Sequence, residues 1–134
     1  MDNVKQAIYK EEVMKNLTIL CKDFELTDAI KSYLEDKMAY LYKYIKDSED
    51  TVSFNCRLGK VANSHVNGKI YYAEVSIHTP EKNFGGRVEA DDTYVAIDLL
   101  KDELAGNITH YKDRARTLQR KDAQKFKEEL HNVE

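Results

Sequence analysis

The stretch 51–58, TVSFNCRL, alternates without a break: Val52, Phe54, Cys56 and Leu58 are apolar, while Ser53, Asn55 and Arg57 are polar. A period of two places each set on its own face of an extended chain, so the segment reads as a half-buried strand. Residues 70–79, IYYAEVSIHT, repeat the pattern with Tyr71, Ala73, Val75 and Ile77 inward, and Pro80, the only proline, ends the run. Residues 16–22, NLTILCK, give a first strand with Leu17, Ile19 and Cys21 on one side. Phe84 to Val88 is a shorter fourth strand, loosened by Gly85 and Gly86. Asn67-Gly68 is a turn signal between the second and third strands.

Two segments change to a helical period. Thr27 is a good N-cap, Asp28 sits in the first turn where the helix dipole favours negative charge, and Ile30, Leu34, Met38, Leu41 and Ile45 form one apolar stripe. That helix is expected to run to about Lys46 and to end at the polar DSED. Asp91 or Asp92 caps a last helix with a stripe of Ile97, Leu100, Leu104, Ile108, Tyr111, Ala115 and Leu118. From 92 to 121 it would be about 45 Å long at 1.5 Å per residue, longer than a four-stranded sheet is wide. Its last two or three turns are therefore expected to project.

The order β-α-β-β-β-α predicts an α+β fold, with a four-stranded sheet and two helices packed on one of its faces. At 134 residues the chain fits one domain. We place it at 14–121, after an extension (1–13) that shows no clear period and reads as a loose segment or a short helix. The tail, 122–134, is open to continued helix or fraying.

Several function classes lack their signatures. There is no run of 18 apolar residues for a spanning helix, and the N-terminal MDNVKQAIYKEEV has no apolar core of a secretion signal. Cys21 and Cys56 lie in apolar runs, which reads as reduced, buried thiols in a cytoplasmic protein. His65, His78, His110 and His131 fall in four different elements, and no C-x-x-C or H-x-x-x-H pair is present. Gly85-Gly86 is not a phosphate-binding loop, there is no G-x-S-x-G elbow, and Asp91-Asp92 is accounted for by helix capping. The chain is thus expected to be no enzyme and to hold no metal or cofactor.

Charge is the informative signal. Net charge is −3, yet Lys112 to Lys121 (KDRARTLQRK) carries +4 directly after 91–111, which carries −4. Lys112, Arg116 and Arg120 follow one another at four-residue spacing beside the apolar arc, and Arg114 and Lys121 line its other flank. Arginines in this arrangement suit phosphate groups, so Arg114, Arg116, Arg120 and Lys121 are candidate RNA contacts; a solvated helix surface is the alternative. The outward side of the third strand, Tyr72, Glu74, Ser76 and His78, lacks the paired aromatics of a base-stacking sheet, so recognition by shape and phosphate is expected.

Three stretches carry a likeness: MKNLTILCKDFELTDAIKSYLEDKMAYLYKY, YYAEVSIHTP, and VEADDTYVAIDLLKDEL. Over about residues 14–121 the chain resembles the short type of the ribosome hibernation-promoting factor and ribosome-associated inhibitor (protein Y) family, also described as sigma-54 modulation proteins. The resemblance implies a fold similar to the double-stranded-RNA-binding domain. It also implies non-catalytic occupation of the small-subunit channel where tRNA anticodon ends and messenger RNA lie. The partners implied are the small ribosomal subunit and its ribosomal RNA, with no membrane and no small-molecule substrate. Pairing of ribosomes would need another factor; otherwise the chain only inhibits. By position, the likeness assigns RNA contacts to Lys22, Lys37, Lys43, Arg87 and Lys112. The chain departs from the pattern at Asp36, Tyr40, Glu103, Gly106, Thr109 and His110, where family members often carry Lys or Arg. Two readings from other classes stay open: a general RNA-binding module, and a protein-interaction domain docking through Tyr111, Ala115, Leu118 and Phe126.

Overall fold

The computed structural model describes residues 2–45, 51–62 and 70–132. Its elements, in chain order, are α1 (Asp2–Lys15), β1 (Leu17–Cys21), α2 (Asp28–Ile45), β2 (Ser53–Lys60), β3 (Tyr71–His78), β4 (Asn83–Ala90) and α3 (Thr93–Asn132). The Asn67-Gly68 turn signal, His65 and the DSED segment lie outside the described residues.

The four strands form one sheet in the order β1-β2-β3-β4. β1 and β2 are parallel, with Ile19 opposite Cys56, and α2 is the crossover such a pair requires. β2, β3 and β4 form the antiparallel meander, with Cys56 opposite Val75 and Val75 opposite Gly86. The period-two reading holds: Phe54, Cys56, Leu58, Ala73, Val75 and Ile77 are all buried on the helix side. Against them pack Leu34, Met38, Leu41 and Ile45 of α2, and Ala96, Ile97, Leu100, Leu104 and Ile108 of α3. Each large aliphatic or aromatic side chain in this layer contributes about 1.5–3 kcal/mol relative to exposure. The described cysteines are free thiols: Cys56 is buried and Cys21 half-buried.

Both helix starts follow their cap chemistry. Thr27 Oγ1 accepts from the Ile30 backbone N–H at 3.2 Å. Asp92 Oδ1 accepts from the N–H groups of Tyr94 (2.7 Å) and Val95 (3.2 Å), so Asp92 rather than Asp91 is the cap.

Residues 2–15 form α1, which leads into β1 through Asn16. Val13 is 1% exposed within the core, and Tyr9 packs edge-on to Tyr42 at 5.9 Å. Lys10 pairs with Asp36 at 2.9 Å, and Gln6 Nε2 donates to the Asp36 carbonyl.

α3 spans 40 residues, about 60 Å at 1.5 Å per residue. Its last fully buried side chain is Ile108; Tyr111 and Ala115 are half-buried, and residues 116–130 are exposed. Leu118, the last residue of the apolar stripe, is 52% exposed, on the turns expected to project past the sheet. The helical period continues past Ala115, but the sheet beneath it does not. The tail continues the helix to Asn132.

Candidate nucleic-acid interface

α2 and α3 lie side by side on the sheet, and their outward sides form a continuous face of tyrosines and lysines. On α2, Tyr33, Lys37, Tyr40 and Tyr44 fall close together around the helix axis. On α3, Tyr94, Asp98, Lys101, Thr109, Lys112 and Arg116 form the facing stripe. Tyr33 Oη donates to Asp98 Oδ1 at 2.6 Å, and its ring meets that of Tyr94 edge-on at 4.9 Å. The hydrogen bond to the carboxylate, followed by burial, pushes the Tyr33 phenol up to about 12. Lys37 sits 4.8 Å from the Tyr33 ring centroid and 3.5 Å from Asp98 Oδ1.

One turn further along, cations outnumber carboxylates. Lys43 Nζ lies 4.4 Å from the Tyr40 ring centroid and 5.1 Å from that of Tyr44. Lys101 Nζ approaches the Tyr40 ring at 4.9 Å and also pairs with Asp102. The Tyr40 and Tyr44 hydroxyls share a 3.3 Å hydrogen bond. That bond, with Lys43 and Lys101 nearby, holds the Tyr44 phenol below its ordinary value. The quadrupole of an aromatic face attracts an ammonium without removing its formal charge.

The face continues into an open groove of about 400 Å³ where α3 leaves the sheet, lined by Tyr44, Thr109, Tyr111, Lys112 and Arg116 among others. Lys112 Nζ donates to the Ile45 carbonyl at 3.4 Å and so caps the end of α2. Arg120 lies one turn beyond Arg116 on the same side of α3, whereas Arg114 and Lys121 lie on the opposite flank.

Of the residues expected from sequence, Lys37, Lys43, Lys112, Arg116 and Arg120 therefore share one side of the helix pair. Lys22 stands apart, exposed directly after β1, its N–H donating to the Leu58 carbonyl. Arg87 is on the open sheet face. Its guanidinium carbon stacks 4.1 Å from the Tyr72 ring centroid, and Nη2 meets Glu89 at 3.2 Å. The Tyr72 ring in turn lies across Gly59, where a Cβ would come within 2.5 Å of it. Elsewhere on that face Arg57 and Glu74 approach at 4.0 Å, among uncharged residues such as Asn55, Ser76 and Gly85.

Sequence reading passed over Tyr33 and Tyr44, counted Lys101 only as a lone cation in an acidic stretch, and noted Tyr40 only as a departure from the family pattern. The available signal was spacing: Tyr40 and Tyr44 are one turn apart on α2, and Lys101 falls on the same side of α3 as Lys112. Asp36, one of the departures noted above, is held by Lys10 of α1. Among the described residues, no group of three or more His, Cys, Asp or Glu side chains is arranged to hold a metal ion. No helix among them is long and apolar enough to cross a membrane.

Fold and surface together define a class: an α+β domain with a parallel β-α-β start, an antiparallel meander, and a cation- and tyrosine-rich helix face. Within that class, the chain belongs to the sigma 54 modulation protein / S30EA ribosomal protein family, whose sequence model matches residues 17–116. A ribosome hibernation promotion factor of Lactococcus lactis subsp. cremoris is 33% identical over 106 residues, 75% of this chain and 51% of the relative. One from Staphylococcus aureus is 30% identical over 116 residues, covering 81% and 55%. The chain thus spans about half the length of these curated relatives. Among solved structures, the N-terminal domain of Thermus thermophilus protein Y aligns with a TM-score of 0.58 at 27% identity, over 72% of this chain and 98% of that domain. A ribosomal subunit interface protein from Coxiella burnetii shares the fold, with a TM-score of 0.55 at 18% identity, over 72% and 97%.

Proposed function

We propose that this chain is a non-catalytic, cytoplasmic hibernation factor that binds the small ribosomal subunit through ribosomal RNA and occupies its tRNA and messenger-RNA channel. Residues 14–121 are the binding unit. The observation that carries the reading is the outer face of α2 and α3, where Lys43 and Lys101 lie over tyrosine rings and the basic stripe continues to Arg116 and Arg120. The family relationship supplies the ribosome as the target. Phosphates would meet Lys37, Lys43, Lys112, Arg116 and Arg120 from one side, with Arg114 and Lys121 reaching a second strand on the other flank. Lys22 and Arg87 would serve at the margins.

Co-sedimentation with purified small subunits tests this. Neutralising three to five phosphates gives a log–log salt slope of roughly −2 to −4, at about 0.7–0.9 per contact. Protein that stays at the top of the gradient at low salt would end the proposal. A flat salt response would remove phosphate contacts as the main source of affinity.

A second reading rests on Leu118, Phe126 and Leu130, which are 52%, 62% and 56% exposed on the projecting end of α3. Under it the helix end docks on a protein. Leu118→Asp would then abolish partner binding, while Arg114→Glu with Arg116→Glu would leave it nearly intact.

A further inference from the structure

α1 lies before the segment that matches the family, and it changes the surface beside the helix face. Val13 in the core and the Lys10–Asp36 pair fix it against α2, so what lies between the two helices is preformed. Between the N-terminal half of α1 and the end of α2 is an open groove of about 400 Å³, lined by Lys5, Gln6, Tyr9, Lys43 and Tyr44. That volume is within the roughly 300–1,000 Å³ of ligand-binding clefts. We infer that this groove binds a phosphodiester of RNA, with Lys5 and Lys43 as its two cations and the second N–H of Gln6 Nε2, the one not given to the Asp36 carbonyl, as a hydrogen-bond donor. The inference rests on the RNA-binding reading above and extends it to a helix outside the family domain.

The charge distribution is the argument. α1 has three lysines; Lys10 is paired with Asp36 and Lys15 with Glu12 at 3.0 Å. Among the described residues, no carboxylate lies within salt-bridge distance of the third, Lys5, or of Lys43 across the groove; Lys43 rests on two tyrosine rings instead. Among the described residues, no acidic side chain lines the groove. Two ammonium groups with no carboxylate partner among the described residues line one concavity and raise the local potential for an anion, and Lys binds phosphate well as a point charge. The Tyr44 phenol is lowered first by its hydrogen bond with Tyr40, and Lys43 and Lys101 lower it further from the neighbouring side. Tyr44 also lines the groove at the end of the α2–α3 face, so one RNA segment following that face reaches α1 next.

The experiment is a salt-dependent titration of purified small subunits with the full chain, comparing wild type, Lys5→Ala, Lys5→Glu and a Lys15→Ala control. Lys5 is exposed, so its replacement leaves the fold intact, which circular dichroism confirms in the same samples. The groove predicts that Lys5→Ala weakens binding by about 3- to 10-fold and flattens the slope by about 0.7–0.9, the value of one phosphate contact. Lys5→Glu weakens it further, and Lys15→Ala has no effect. Wild-type affinity and slope in both Lys5 variants would overturn the groove while leaving the ribosome-binding reading standing. Absence of wild-type binding to the subunit would overturn both.

Discussion

Replacing Tyr33 by Phe removes one hydroxyl from the contact that ties α2 to α3 beneath the cationic face. The lost interaction is a neutral donor on a carboxylate at 2.6 Å. Hydrogen bonds to charged groups contribute about 1.5–3 kcal/mol. Tyr33 is half-buried, so water screens the bond, and Asp98 keeps Lys37 at 3.5 Å in the variant. The expected cost is therefore about 1 kcal/mol, or a fall of about 3–5 °C in Tm for a chain of this length. Urea and thermal unfolding followed by circular dichroism measure it. The pH dependence gives a second readout. The phenol is raised to about 12 in the fold against about 10 in the unfolded chain. A raised pKa means the contribution is complete below pH 10 and is lost as pH rises through about 12. The stability gap between wild type and Tyr33→Phe should stay constant up to about pH 10 and shrink above it. In the alkaline absorbance titration, the latest-ionising tyrosine should disappear in the variant. An unchanged midpoint together with an unchanged late tyrosine would refute the Tyr33–Asp98 contact and the α2–α3 geometry built on it.

Other expectations follow from burial. Leu104→Ala should cost about 2–5 kcal/mol, because Leu104 is fully buried, whereas Leu118→Ala should stay within about 0.5 kcal/mol, since that side chain is 52% exposed. Denaturant midpoints of the two variants separate these values. Gly106→Ala should stabilise the fold by about 0.5–1 kcal/mol, because Gly106 is inside α3 and nothing lies within 4 Å of an added Cβ; a thermal midpoint below wild type would contradict it. In a thiol-reagent assay on native protein, Cys21 should react well before Cys56, whose thiol burial pushes up to about 12. Unfolding should bring the two rates together.

The parts of the fold that were legible in sequence are those governed by local periodicity. Phe54 to Leu58 and Ala73 to Ile77 alternate because each faces the helices on one side only, and Thr27 and Asp92 cap because their side chains reach the first free N–H groups. α1 was not legible as a docked helix. Its buried contacts are few, chiefly Tyr9 and Val13, while Val4 and Ile8 point to solvent, so no period emerges. Leu118 keeps the helical period yet is 52% exposed, because the helix is longer than the sheet beneath it, which its length in sequence already implied. The candidate interface was half-legible. Charge counts pointed to the end of α3, whereas the face itself depends on which residues of α2 and α3 lie side by side. Lys101, Tyr40 and Tyr44 converge across 57 to 61 positions of sequence, and only the fold brings them together.

The most direct test of the central claim is a map of this chain bound to the small ribosomal subunit. The account predicts that the outer face of α2 and α3, from Lys37 and Lys43 to Arg116 and Arg120, lies against ribosomal RNA in the tRNA and messenger-RNA channel, with only marginal contacts at Lys22 and, on the open sheet face, at Arg87. Contact mainly through the open sheet face, or density only on a ribosomal protein at the Leu118–Leu130 end of α3, would contradict it.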